Sequence, residues 1–253
     1  METTLLKGLQ LLEALVNSDE PRGITDLAAE LGLTKSNVHR LMQTLAHAGF
    51  VRQQPDTERY TCTAKLWKLG SIVADRIDLV PLARPFLKAL ARTTRETVFL
   101  TIREGADALY VSKEDSPQPV RTFAELGGRA PLYAVATGKA MLAHLPDADV
   151  AGVLANLGRS STNTITDPAT LRAQLRRVRK TGFAVNRGEW RDGVCSIASP
   201  IFDAAGRVCA AIGVSAPTSR LTADAMTGLS PAVIQAAADI SRALGFDGAA
   251  AQA

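Results

Sequence analysis

The chain has 253 residues, 46% of them apolar, with a net charge of +4 and a pI near 9.1. This composition supports a sizeable core and two domains, and it permits an anionic partner without demanding one. No apolar run approaches the roughly 20 residues of a membrane helix, the start Met1-Glu2-Thr3-Thr4 lacks the form of a signal peptide, and three cysteines (Cys62, Cys195, Cys209) show no metal spacing, so a cytoplasmic chain without membrane partner, disulfide framework, metal or cofactor is expected.

Leu5, Leu6, Leu9, Leu12, Leu15 and Val16 recur at helical spacing and predict a first helix that packs under the next two. Thr25 is the expected N-cap of a second helix, with Asp26 at its positive end and Ile24, Leu27, Ala28 and Leu31 on its apolar face. Gly32 stops that helix in a left-handed cap, and Leu33 plugs the turn. Thr34 or Ser36 caps a third helix whose apolar stripe is Val38, Leu41, Leu45 and Ala48. Its other face carries Lys35, Ser36, Asn37, His39, Arg40 and Gln43, side chains that reach phosphates and base edges. Gly49 ends it, and a strand from Phe50 leads through Arg52 and a polar tip with Arg59 to Tyr60, the outline of a wing.

This order is that of a winged helix-turn-helix, which lays one helix in the major groove of duplex DNA. Thr25, Thr34, Lys35, Ser36, Asn37, His39, Arg40, Gln43, Arg52 and Arg59 are the candidate DNA-contacting residues. Residues 34–68 carry six Lys or Arg against two acidic residues, whereas residues 1–70 balance to zero, so the positive charge is local, as phosphate contact requires.

Residues 64–74 return to helical period as a linker helix; the apolar excess around Trp67 suits either a second subunit or its own chain. A helix over 79–94 comes next, with Pro81 in its first turn and Leu82, Phe86, Leu87 and Leu90 on one face. Residues 97–102 and 108–112 are strand-like and joined by a hairpin at 104–107, and 120–123 is a further candidate strand. Helices are expected over 132–144, with Gly138 inside, over 169–181, ended by Gly182, and over 222–244. Strands are expected at 183–185, 194–201 and 208–215, with a turn at 203–206. The tail 248–253 is low-complexity and expected to fray. The fold class is α+β, with a mostly antiparallel sheet flanked by helices, divided as 1–62, 63–78 and 79–253.

Three segments, LAAELGLTKSNVHRLMQTLAHAGFV, APLYAVATGKAMLAHLP and GVCSIASPIFDAAGRVCAAIGVSAP, taken in order, make the chain resemble IclR-type bacterial transcription regulators over nearly its full length. The resemblance implies a linker helix, a GAF-like ligand-binding domain, a homodimer or dimer of dimers on an operator, and a small effector, often an acidic or aromatic metabolite. It places the effector near Gly128, Arg129, Asn186, Ser196, Gly213 and Ser215. Asn186 stands where some relatives have an acid, and Ser196 where many have Cys, here shifted to Cys195 on the opposite strand face.

The residues themselves allow 127–131 to be an anion-holding loop before a helix, with Arg129 as a carboxylate clamp, or a plain turn. Trp190, beside Glu189, forms either a pocket wall or a core edge. Arg172, Arg176 and Arg179 form either a phosphate patch or a solvated face opposite Leu171, Leu175 and Val178. An enzyme using Cys195 or Ser196 is the alternative function, but the only histidines are His39, His47 and His144, and no nucleophile elbow, phosphate loop or metalloprotease motif is present. A DNA-binding protein whose second domain senses nothing is the third reading.

Overall fold

The computed structural model describes residues 3–75 and 79–246. The tail at 248–253, the end of the linker at 76–78 and the first two residues lie outside the described residues. Contacts divide the chain into two units, 1–77 and 78–253.

The first unit holds α1 (Thr3–Val16), α2 (Ile24–Leu31), α3 (Lys35–His47), the strands β1 (Val51–Gln53) and β2 (Tyr60–Cys62), and α4 (Ala64–Asp75). Its core gathers Leu11, Leu15, Leu27, Val38, Leu41, Met42, Val51 and Tyr60. The expected stripe of α1 is therefore corrected: Leu11 and Leu15 face the core, while Leu5, Leu6, Leu9 and Val16 are exposed. The side of α1 that packs on Leu27, Leu41 and Met42 is the one carrying Leu11 and Leu15, and helical spacing then turns Leu5, Leu9 and Val16 outward. On α3, Met42 takes the buried place expected for Ala48, which is exposed.

Gly23, not Thr25, is the N-cap of α2, with extended backbone and no side-chain cap. The Arg22 and Tyr60 backbones exchange two hydrogen bonds, so the chain turns into the helix directly after Arg22 and Thr25 is already helical. Gly32 ends α2 at φ 63°, ψ 32°, a left-handed conformation cheap only for glycine. Thr34, rather than Ser36, caps α3 by accepting from the Asn37 N–H at 3.3 Å. Thr63 and Lys65 donate to the carbonyls of Gly49 and Ala48, which fixes the start of α4 on the end of α3.

The second unit begins with α5 (Leu79–Thr94), β3 (Thr97–Glu104), β4 (Asp107–Glu114) and β5 (Arg129–Pro131). It continues with α6 (Ala136–Leu142), α7 (Asp147–Leu154), α8 (Pro168–Thr181), β6 (Ala184–Arg187), β7 (Val194–Phe202), β8 (Val208–Pro217) and α9 (Ala223–Ala243). The six strands form one antiparallel sheet in the order β5-β4-β3-β8-β7-β6. Alternation splits each strand between two cores. Val98, Leu100, Ile197, Ile212 and Val214 meet α5 and α9 on one face, and Ala108, Ala198 and Ala211 meet α6 and α8 on the other. The protein is thus α+β, a helix-turn-helix domain followed by a helix-flanked antiparallel sheet.

Three expectations change here. Residues 120–123 form no strand; side chains tie this segment to the sheet instead. The helix over 132–144 shrinks to Ala136–Leu142, since the Leu132 N–H still bonds Ala106 and the chain must turn before α6. Helix α7, absent from the sequence reading, starts after Pro146 and buries Val150, Val153 and Leu154.

Candidate DNA interface and effector cavity

On α3, the side chains of Lys35, Ser36, His39, Arg40 and Gln43 are exposed, and Asn37 is half-buried beneath its cap bond. The burial of Val38, Leu41 and Met42 on the opposite face holds this polar row outward. The wing is the β1–β2 hairpin in the register Val51↔Cys62, Arg52↔Thr61 and Gln53↔Tyr60. Arg52 projects from it exposed. Arg59 is partly committed elsewhere: it donates to the Pro21 carbonyl at 3.1 Å and lies 3.9 Å from the Asp26 carboxylate.

The second unit contains a cavity of about 460 Å³, and Gly128, Arg129, Asn186, Ser196, Gly213 and Ser215 all lie on its wall. The register explains the gathering. Asn186 pairs with Ser196, Ser196 with Ser215 and Ser215 with Thr97, so one polar row crosses four strands on one sheet face. The next row on that face is Ala198, Gly213 and Phe99. Gly213 is required there: a Cβ would lie 2.8 Å from the Ala198 Cβ and 2.9 Å from the Thr137 Cγ2 of α6.

Residues 127–131 do not form the expected loop before a helix. Arg129–Pro131 is an edge strand paired with β4, and α6 begins only at Ala136. Burial of Ala130 on the sheet drives this pairing. Arg129 pairs with Glu104 through its Nε, and this contact holds the Glu104 carboxyl below its usual range.

Sequence reasoning missed much of the lining. Phe99, Tyr110 and Phe123 form apolar walls, with Phe99 and Tyr110 edge to face at 5.0 Å. Trp190 does both of its expected jobs, lining the cavity while packing on the core. Arg121 and Arg191 add guanidinium groups, and among the described residues neither pairs with a carboxylate. Burial raises the Tyr110 hydroxyl pKa, and Arg191 opposes that rise. Asn186 accepts the Glu189 N–H through Oδ1 at 2.7 Å, which leaves its NH₂ group without a partner among the described residues. The hydroxyls of Thr137 and Ser196 likewise have none.

A buried ion pair also escaped notice. Lys139 of α6, 1% exposed, donates to both Glu189 oxygens at 2.7 and 2.5 Å and to Gln174 Oε1 at 3.0 Å. A lone lysine inside the apolar run from Ala136 to Leu142 was the available signal.

Cys195 faces the other core, away from Ser196, and burial pushes its thiol up; burial raises Cys209 to about 11. Neither is a ready nucleophile. Arg172, Arg176 and Arg179 are exposed, with Leu171, Leu175 and Val178 buried behind them. Among the described residues no helix is long and apolar enough to cross a membrane, and no cluster suits a metal.

A polar helix offered outward by a winged helix-turn-helix, on the same chain as a domain with a lined cavity, defines a DNA-binding regulator. Residues 4–55 match the IclR helix-turn-helix domain, and residues 71–242 match the bacterial transcriptional regulator IclR C-terminal domain. The chain belongs to the IclR family of transcription regulators, and it acts as a regulator rather than an enzyme. It is 35% identical over 244 residues to the HTH-type transcriptional repressor AllR of Salmonella typhi, a match covering 96% of this chain and 90% of that one. The crystal structure of the Thermotoga maritima IclR is similar at a TM-score of 0.83 and 30% identity, covering 97% of this chain and 100% of that one. An IclR homolog from Microbacterium hydrocarbonoxydans, complexed with 4-hydroxybenzoate, is similar at a TM-score of 0.81 and 26% identity, covering 95% and 98% of the two chains.

Proposed function

We propose that this regulator controls a catabolic or metabolic operon in response to a small organic acid, often aromatic, held in the cavity of residues 79–253. The hydrogen-bonding and charge surplus of that cavity carries the reading. Arg121 and Arg191 lack carboxylate partners, and the Asn186 amide and the Thr137 and Ser196 hydroxyls lack hydrogen-bond partners, among the described residues. Four aromatic side chains line the remaining wall. A carboxylate on a flat apolar body satisfies both sets. The 4-hydroxybenzoate held by the Microbacterium homolog supports the same class. Gly128, Arg129, Asn186, Ser196, Gly213 and Ser215 are the effector contacts in this reading.

Residues 1–62 bind the operator and 63–78 link the two functions. Thr34, Lys35, Ser36, Asn37, His39, Arg40 and Gln43 face the major groove, Thr25 and Arg52 face phosphates, and Arg59 braces the wing. Exposed Leu5 and Leu9 on α1 and Trp67 and Ile72 on α4 support a homodimer or dimer of dimers. Two recognition helices then read half-sites spaced by whole turns of the duplex. Effector and operator affinities are coupled reciprocally.

A melting-temperature screen against benzoate, 4-hydroxybenzoate and pyruvate tests the sensing half. An acid present at 100 times its Kd stabilises the folded chain by about 2.7 kcal/mol. If no organic acid raises the melting temperature, the acid-sensing reading is wrong.

A further inference from the structure

We propose that the buried Lys139–Glu189 ion pair is the positioning element of the effector cavity, aiming the Asn186 amide donor inward and holding Trp190 and Arg191 on the wall. The inference rests on the acid-sensing reading above but concerns a pair outside the cavity lining.

Glu189 and its neighbour Gly188 join three parts of the domain: α6, β6 and the segment at 161–164. Its carboxylate accepts from Lys139 of α6 and from the Arg187 N–H of β6 at 3.3 Å. Its own N–H donates to Asn186 Oδ1 at 2.7 Å, and its carbonyl accepts from Thr164 Oγ1 at 2.7 Å. Ser161 Oγ donates to the neighbouring Gly188 carbonyl at 2.5 Å. Glu189 is 5% exposed, and the next two residues, Trp190 and Arg191, line the cavity. Because the Asn186 carbonyl oxygen is committed to the Glu189 N–H, its NH₂ group is the end left for a ligand. A donor in that place selects an oxygen acceptor, such as a carboxylate, keto or hydroxyl oxygen.

Stability alone does not call for this pair. Burying two charges carries a desolvation cost that their attraction roughly balances, and matched apolar replacements are often neutral or stabilising. Burial pulls the Lys139 ammonium down while the Glu189 carboxylate opposes it, so the charges hold each other in place. What the pair adds is direction: two carboxylate oxygens and a fixed ammonium set where the loop after β6 runs.

The test uses the full chain in a Trp67→Phe background, whose own baseline is the reference. The only other tryptophan is Trp190, which then reports the wall directly. The double variant Lys139→Met with Glu189→Gln removes both charges at similar volume. The expected result is a melting temperature near the reference, acrylamide quenching of Trp190 several-fold higher, and benzoate affinity lower by roughly tenfold. Unchanged quenching and unchanged benzoate affinity in a folded double variant overturn the proposal. If the double variant does not fold, Glu189→Asp decides, since it keeps the charge but draws the carboxylate back from Lys139 by one methylene. Its benzoate affinity should fall by roughly tenfold, and unchanged binding overturns the proposal. Should benzoate bind neither form, the acid-sensing reading fails on its own, and the quenching comparison still decides the role of the pair.

Discussion

The Thr122 hydroxyl donates to the Ser215 carbonyl at 3.0 Å, which ties the segment over 115–128 to the strand that floors the cavity. Two further bonds fix the same stretch: Thr97 Oγ1 donates to the Thr122 carbonyl at 3.3 Å, and Arg220 Nη2 donates to the Val120 carbonyl at 2.8 Å. Arg121 and Phe123 flank the tie and both line the cavity. Thr122→Val keeps the shape and removes one donor from a buried carbonyl, at a cost of about 1–2 kcal/mol. A urea melt should show that loss, and hydrogen exchange should quicken over 120–124. A melt unchanged from the parent would mean that the Thr122–Ser215 bond adds nothing to the hold on this segment.

His144 titrates out of its ordinary range. Burial, then the nearby Arg179 guanidinium, push its imidazole down to about 4 from the usual 6.5. The ring stacks edge-on against Phe202 at 5.0 Å, and its buried Nε2 has no partner among the described residues. In the unfolded chain the group gains a proton near pH 6.5, before the folded chain does, so its contribution is complete above that pH and is lost as pH falls toward 4. After allowing for the part of the ring that stays solvated, the loss is about 2 kcal/mol. His144→Leu should flatten the stability profile between pH 4 and 6.5 in denaturant melts. The same slope in the variant would assign the effect to other groups.

Two glycines are expected to resist substitution in graded fashion. At Gly213, an added Cβ meets the Ile197 carbonyl and Thr137 Cγ2, both at 2.9 Å, so Gly213→Ala should push α6 off the sheet at a cost of about 1–3 kcal/mol. At Gly138 the Cβ meets the Leu132 Cα at 2.6 Å and its carbonyl oxygen closer still. Gly138→Ala should therefore cost more than Gly213→Ala, measured as the drop in melting temperature. The reverse order would contradict the packing described between α6 and the turn before it.

On the proposed DNA interface, reading and gripping residues are expected to separate on mutation. Arg40→Ala and Gln43→Ala should cost about 1–3 kcal/mol on the preferred operator and relax base preference. Arg52→Ala should weaken binding to all sequences alike and lower the salt slope by about one. Arg59→Ala should act differently from Arg52→Ala, lowering the stability of residues 3–75, because Arg59 braces the wing against the Pro21 carbonyl and Asp26. Competition binding across salt concentrations distinguishes the three behaviours.

Local patterns carried much of the fold. Gly32, Gly182 and the turn at 203–206 punctuate the chain where expected, and alternation placed Cys195 and Ser196 on opposite faces. What stayed hidden was tertiary. Thr25 loses the cap to Gly23 because a distant strand residue, Tyr60, pairs with Arg22. Leu5 and Leu9 look like core residues by period, but which side of α1 is inner depends on where α2 and α3 offer Leu27, Leu41 and Met42 to Leu11 and Leu15. Arg129 looked like a helix-terminal clamp because pairing with β4 is invisible in the local sequence. The cavity lining divides in the same way. Six residues came through family resemblance, whereas Arg121, Phe123 and Arg191 sit on irregular segments whose path no periodicity encodes.

The most direct test of the account is the affinity of the full chain for its own upstream DNA, measured by footprinting with and without the organic acid that most raises its melting temperature. The account predicts saturable protection of a repeated half-site, and an operator affinity that the acid changes at least fivefold, the lower end of typical allosteric coupling (about 1 kcal/mol). Sequence-selective protection that the acid leaves unchanged would contradict it.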